Sequence, residues 1–154
     1  MMKRFVLGAV GVIVGIPVGM AFMMFLHWLT TFVYPMPSGV ELGNPDPENM
    51  ARVNEWLGTL PAGAFLLATI CHGFGCMLGA VIATFVSSRQ SLIPAIVVGV
   101  VFTAFGIANL FSIPHPSWFP IVDVPVYLVF AVAVGLKLKK KVASDSAHAD
   151  ESTA

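Results

Sequence analysis

Four long apolar runs with almost no charge constrain the fold of this chain more than any other feature of its sequence. They cover approximately residues 5–33, 60–86, 92–113 and 118–136. About 20 apolar residues are enough for a helix to cross a bilayer. Because backbone amides in lipid must be paired, and no run alternates as a strand does, helices are the expected structure. We therefore predict an all-α membrane protein with four antiparallel transmembrane helices.

The composition supports one membrane domain rather than a soluble fold. Hydrophobic residues make up 57% of the 154 residues and charged residues 10%, against about 25% charged residues in soluble proteins. A soluble domain of this size cannot bury that much apolar surface in one core. No basic face with interleaved aromatics is present, so nucleic acid is not an expected partner. We predict a transmembrane domain over residues 1–141 and a disordered cytoplasmic tail over 142–154.

The positions of the basic residues predict the orientation. Two lie before the first run, one in the gap 34–59, one in the gap 87–91 and four at 137–141. Loops rich in Lys and Arg stay on the cytoplasmic side. Both termini are therefore expected in the cytoplasm, with the long loop facing outward.

The long loop between the first two runs contains one helical pattern. Asp46 is suited to cap a helix and Pro47 to occupy its first position. Met50, Val53 and Leu57 then recur at spacings of three and four, which gives one apolar face. We predict a short surface helix in this first outer loop, lying on the membrane or capping the bundle.

Small residues form two helix-packing faces. Three glycines repeat every four residues in the first run, and two more do so in the second; they are Gly11, Gly15, Gly19, Gly75 and Gly79. Such faces let two helices approach closely in a membrane. Packing within the chain is one interpretation, and association of two copies is the other.

Polar residues gather near the expected outer ends of the spans. They are His27, Asn109, His115, Asp123 and Tyr127. A carboxylate in the membrane is costly unless it finds a partner or water, so Asp123 either pairs with one of the other four or stays in the headgroup layer. Together these residues are a candidate outward-facing pocket for a lipid, a quinone or a proton.

His72 lies near the middle of the second run, where an ionisable group is a functional hypothesis by default. It is a candidate mid-membrane ligand for haem or a metal, or a neutral histidine bonded to a hydroxyl or backbone oxygen of the next helix. A second haem ligand is required, but His27 lies about 9 Å below its outer end and His72 about 18 Å below its own. Cys71 and Cys76 do not complete a metal set, so no metal or cofactor is predicted.

Several motifs together resemble small four-span bacterial inner-membrane proteins of uncharacterised function. They are Tyr34-Pro35-x-Pro37-x-Gly39, Leu60-Pro61-x-Gly63-Ala64, Gly106-Ile107-Ala108-Asn109-Leu110 and Pro114-His115-Pro116-x-Trp118-Phe119. The resemblance covers roughly residues 5–140. It implies a four-helix inner-membrane protein and no particular activity.

The sequence carries no nucleophile elbow, phosphate loop or metalloprotease helix, so an enzyme is not the favoured class. Three functions remain open. The first is a non-enzymatic scaffold or assembly protein that contacts the bilayer and a second copy or another membrane protein. The second is a binding or transport module that uses the outer polar pocket. The third is a haem or metal redox protein that uses His72.

Overall fold

A computed structural model describes residues 2–87 and 91–151 of the chain. All regular structure in these residues is helical. The helices, in chain order, are α1 (Met2–Thr30), α2 (Pro47–Thr59), α3 (Ala62–Val86), α4 (Ile93–Ser112) and α5 (Phe119–Glu151).

Four of the helices are long and apolar enough to cross a membrane. The candidate spans are Val6–Thr30, Ala62–Val86, Ile93–Ser112 and Phe119–Lys139. Large apolar side chains cover their outer surfaces: Ile13 is 70% exposed, Phe111 89% and Ile121 76%. Water would not favour such a surface, whereas lipid chains would. The predicted all-helical membrane architecture is therefore confirmed at this level.

The ends of two helices differ from the sequence-based boundaries. Helix α1 ends at Thr30 rather than at residue 33, because residues 31–34 turn back through backbone hydrogen bonds to Trp28, Leu29 and Thr30. Helix α5 continues to Glu151, over ten residues for which a disordered tail was predicted. No glycine or proline follows Gly135 in that helix, so no residue there breaks it. The predicted turn at 87–91 lies partly outside the described residues.

Helices α3 and α4 form the centre of the bundle. Each contacts both α1 and α5, while α1 and α5 do not contact each other in the described residues. Small side chains dominate the core where the helices meet; its buried members are Cys76, Ala80, Ala83, Ala95, Val98, Phe102, Tyr127 and Ala131. Small residues at these positions bring the helix backbones close together.

The glycines of α1 face those of α3 within the same chain. A Cβ atom on Gly15 would lie 2.5 Å from the backbone oxygen of Gly79, and one on Gly19 would lie 2.6 Å from that of Gly75. A Cβ on Gly11 would meet Ala83 in the same way. The two backbones are therefore in direct contact over several turns, and this contact fixes how α1 lies along α3.

Helix α2 begins as the sequence predicts. The Asp46 carboxylate accepts hydrogen bonds from the backbone amides of Glu48 and Asn49 at 3.0 and 3.1 Å. Asn49, which the sequence analysis did not single out, is buried and joins α2 to the loop before it. Its amide accepts from the Glu41 backbone nitrogen at 2.9 Å and donates to the backbone oxygens of Glu41 and Asn44, both at 2.8 Å. The loop and α2 therefore form one hydrogen-bonded unit.

The glycine contact predicts a position-specific effect of adding one methyl group. Gly15→Ala should destabilise the protein by about 1–3 kcal/mol, because the new methyl would overlap backbone of α3. Gly8→Ala on the same helix is the control, since its Cβ would meet only the Pro94 side chain at 3.8 Å. Unfolding in mixed detergent micelles measures both. Equal effects of the two substitutions would show that the close contact does not exist.

Candidate functional site

A buried ion-pairing contact joins α3 to α5 inside the bundle. His72 Nδ1 lies 2.7 Å from Asp123 Oδ1, and the two residues are 8% and 1% exposed. The Tyr127 hydroxyl donates to the other carboxylate oxygen at 3.2 Å. With both oxygens acting as acceptors, the imidazole donates through Nδ1–H. Its second nitrogen, Nε2, is then the atom available to other partners.

The partner of His72 differs from the sequence-based interpretation. A hydroxyl or backbone oxygen of the next helix was expected, whereas the structure provides the carboxylate of Asp123. Depth counting did not pair them, because His72 lies ten residues into α3 and Asp123 only four into α5. The first turn of α3 lies beside the corner between α4 and α5, where Phe65 packs on Phe119 with ring centres 5.7 Å apart. This offset brings His72 level with Asp123.

His27 lies beside His72. The two ring centres are 5.0 Å apart and the planes are inclined by 53°. The sequence analysis wrongly placed the two histidines at different depths. It assumed that the end of α1 and the start of α3 lie at one level. The glycine contact explains the proximity: residues 11, 15, 19, 23 and 27 recur every four positions, so His27 continues the face that packs on α3.

Tyr127 is held in place by a glycine on α4. A Cβ on Gly106 would lie 2.6–2.8 Å from atoms of the Tyr127 ring, so only glycine leaves room for the ring there. The ring stacks on His72 at 5.6 Å between centres. One turn beyond His72, the Cys76 thiol donates to the Tyr127 backbone oxygen at 3.3 Å. The position of Asp123 is thus fixed by contacts on both sides.

A cavity of about 320 Å³ opens beside the two histidines. Its wall is mostly aromatic and aliphatic and comes from α1, α2, α3, α4, α5 and the connecting loops. The large apolar side chains include Trp28, Trp56, Leu57, Leu60, Phe65 and Phe119. A second cavity of about 500 Å³ shares His27, His72 and Asn109 with the first and is also lined by Tyr127. An apolar wall with a few convergent polar groups is typical of a small-molecule site.

Several polar atoms on this wall have no protein partner. Among the described residues, no hydrogen bond is made by the ring of His27 or by the side-chain amide of Asn109. Asp123 is the one hydrogen-bond partner of His72 there, and the buried Nδ1 of His115 has none of ordinary geometry. Buried polar groups are normally paired. The His72 Nε2, the His27 ring, the His115 Nδ1 and the Asn109 amide are thus available to water or a ligand in the cavity.

His115 lies outside the spans, in the corner between α4 and α5. Its ring stacks on Phe119 with centres 4.7 Å apart and planes inclined by 6°. Burial lowers the pKa of His115 below the ordinary value of histidine, although the Ile113 backbone and the negative charge of Asp123 act in the opposite direction. The neutral form is therefore favoured at this edge of the cavity.

The structure brings most of the candidate pocket residues together. His27, Asn109 and His115 line the first cavity, and Tyr127 lines the second. Asp123 lines neither cavity, because it lies behind His72. His72, which was treated separately as a mid-membrane ligand, lines both. The Thr69 hydroxyl, buried beside Asp123 without a hydrogen bond of ordinary geometry, was not recognised from the sequence, and a lone threonine in an apolar run gives no signal.

The geometry bears on the haem hypothesis. Two imidazoles on opposite faces of a haem, each about 2 Å from the metal through nitrogen, have ring centres about 6 Å apart. The 5.0 Å separation of His27 and His72 is too short for that arrangement. In the part of the chain that the structure describes, no three His, Cys, Asp or Glu side chains converge as metal ligands. What the site does offer is an imidazole oriented by a carboxylate, able to hold or release a proton at Nε2.

The sequence matches no protein-family model, and comparisons with curated proteins and with solved structures find no match. Function must therefore be argued from the site itself.

The contact between His72 and Asp123 predicts energetic coupling. In a double-mutant cycle of His72→Gln and Asp123→Asn, the coupling energy should be about 1–3 kcal/mol, as for residues in one buried network. Chemical unfolding in micelles of constant composition measures it. The control is a cycle of Asp123→Asn with Ser38→Ala, because Ser38 is exposed in the outer loop. A His72–Asp123 cycle as additive as this control would contradict the contact.

Proposed function

We propose that this protein is a membrane-embedded binding protein for an amphipathic small molecule, such as a lipid or a quinone. The ligand's polar head would lie at His27 and His72, and its apolar part would lie along the aromatic wall of the cavity. One observation carries this proposal: unpaired polar groups converge on an apolar cavity, and one of them is oriented by a buried carboxylate.

A protein whose only role was helix packing would have no need of this arrangement. Burying a carboxylate and an imidazole in the apolar part of a bundle costs free energy even when they are paired. The scaffold hypothesis explains the glycine contact between α1 and α3, but it assigns no role to the cavity or to the free nitrogen of His72. A binding site accounts for both, and it also accounts for the unpaired amide of Asn109.

The topology is part of the proposal. The distribution of Lys and Arg favours cytoplasmic termini, and the resemblance of several motifs to four-span bacterial proteins favours an inner-membrane location. Residues 34–59 and the corner at 113–118 would then face outward. Since α2 and this corner both border the first cavity, the cavity would be reached from the outer side of the membrane, and α2 would lie at the membrane surface over it.

Filling the cavity tests the proposed function. Ala68 lines the cavity, so Ala68→Phe should abolish specific photolabelling by hexadecyl probes that carry a diazirine and an alcohol, carboxylate or quinone head. Ala104→Phe is the matched control, because Ala104 is exposed on α4 and faces away from the cavity. The labelling of the two variants can be compared only if their thermal stabilities are equal. If none of the probes labels cavity residues of the wild type in a saturable way, the protein is not a binding protein of this kind.

Labelling of introduced cysteines tests the topology. Both native cysteines are buried in α3, so they should react little with a membrane-impermeant maleimide. On intact cells Ser38→Cys should be labelled from outside, whereas Ser144→Cys, beyond the last span, should be labelled only after the membrane is opened. The reverse pattern would place the cavity on the cytoplasmic side.

A further inference from the structure

The charge of the cavity wall depends mainly on histidines. Three of the four histidines of the chain line it, namely His27, His72 and His115. Among the described residues no aspartate or glutamate lines it, and Asp123 lies behind His72. Protonation of the histidines can therefore make this wall positive, and no carboxylate on it adds a negative charge. A wall of this kind complements an anionic head group.

Without a ligand, a charge on His72 or His27 must be balanced by a group of the protein itself. In a low-dielectric region a single uncompensated charge is costly, whereas a balanced pair is tolerated. An imidazolium at His72 is balanced by the carboxylate of Asp123, 2.7 Å away. Its Nε2–H can then donate toward the cavity. With this pair charged, the site carries no net charge as long as His27 is neutral.

A proton on His27 would change that balance. Its ring centre is 5.0 Å from that of His72, and two like charges at this distance in an apolar environment repel strongly. No carboxylate contacts His27 in the described part of the chain. An anion that contacts both rings from the cavity side would offset the repulsion and compensate the second positive charge. The anion and the proton on His27 therefore stabilise each other.

From this geometry, and on the basis of the proposed function, we infer that the ligand is a single-chain amphipathic acid. Its anionic head contacts both His27 and His72 from the cavity, and one proton binds to His27 together with it. A free carboxylic acid and a phosphate monoester lipid offer the same chemistry, namely a negative acceptor group on an apolar chain. A neutral alcohol would bind without a proton and would leave one imidazole without an acceptor.

No other titratable group near His27 and His72 in the described residues supplies the negative charge that would balance a proton on His27. The ones that face it or lie within one turn of it are Cys71 and Cys76 on α3, Asp123 and Tyr127 on α5, and Tyr34 and His115 in the loops. Helix α4 contributes the neutral amide of Asn109, and α2 contributes Trp56 and Leu57, which do not titrate. Asp123 is the one carboxylate among these groups, and His72 already uses it.

The test uses a probe whose own charge is constant. Hexadecyl sulfonate stays anionic across the neutral range, so any pH dependence of its binding belongs to the protein. Its Kd should rise with increasing pH across the neutral range, by up to tenfold per pH unit, because one proton is bound with it. Hexadecanol should bind weakly, with a Kd that does not change with pH. Binding is measured with the full-length protein in a non-ionic detergent.

Two further measurements link the proton to His27. The pH dependence should disappear in His27→Gln and persist in His148→Gln, which alters the histidine beyond the last span. Calorimetry of the wild type in two buffers of different ionisation enthalpy should give an uptake of about one proton per sulfonate, as the linkage requires. This measurement needs no variant, so a failure of His27→Gln to fold would not remove the test.

The outcomes separate the inference from the proposed function. Binding of hexadecanol or decylubiquinone as tightly as the sulfonate, without proton uptake, would overturn the inference and leave the binding function in place. Binding of none of the probes would overturn both. A sulfonate that binds with proton uptake supports the inference, and comparing palmitate with hexadecyl phosphate then shows which acid the site prefers.

Discussion

The close contact of α1 with α3 determines the geometry of the rest of the protein. In lipid the hydrophobic effect does not drive two apolar helices together. They associate through packing and through the few polar contacts they can make. Glycines at Gly15 and Gly79 remove the side chains that would hold the backbones apart. Once the helices lie at this distance and in this register, the last turns of α1 reach the middle of α3, and His27 meets His72.

A second register, between α3 and α5, supplies the carboxylate. Residues 51 positions apart are neighbours along these two helices: His72 contacts Asp123, and Cys76 contacts Tyr127. Both helices run in the same direction, but ten residues of α3 precede His72 and only four of α5 precede Asp123, so α3 begins before the level at which α5 does. The aromatic packing of Phe65 on Phe119 holds this offset. Two independent helix contacts thus converge on His72.

Much of the fold could be predicted from the sequence, and the pairing inside the site could not. The four spans follow from the length and apolar character of the runs, and the start of α2 follows from Asp46 and Pro47. The glycine faces indicated close packing, and the structure places them against each other within one chain. The four-residue repeat from Gly11 to Gly19 also passes through His27, a signal that the sequence analysis did not use.

The contacts of His72 were beyond the reach of counting residues from helix ends. Counting gives a depth only if neighbouring helices begin at the same level, and α3 and α5 do not. Which side chain is level with which depends on the corner between α4 and α5, where His115, Trp118 and Phe119 pack on Phe65. That packing is a tertiary property. The sequence therefore named the polar residues of the site without predicting that His72 belongs with Asp123.

Asn49 links the loop that precedes α2 to α2 itself, so that the two behave as one mechanical unit. Its amide joins the backbone of residues 41 and 44 to the first turn of α2, while the backbone of α2 makes no close contact with the spanning helices in the described residues. The segment is thus bound more firmly to itself than to the bundle beneath. A force that separates it from the spans would break side-chain contacts such as those around Val53 and leave its hydrogen bonds intact, so residues 40–59 would move as one rigid flap.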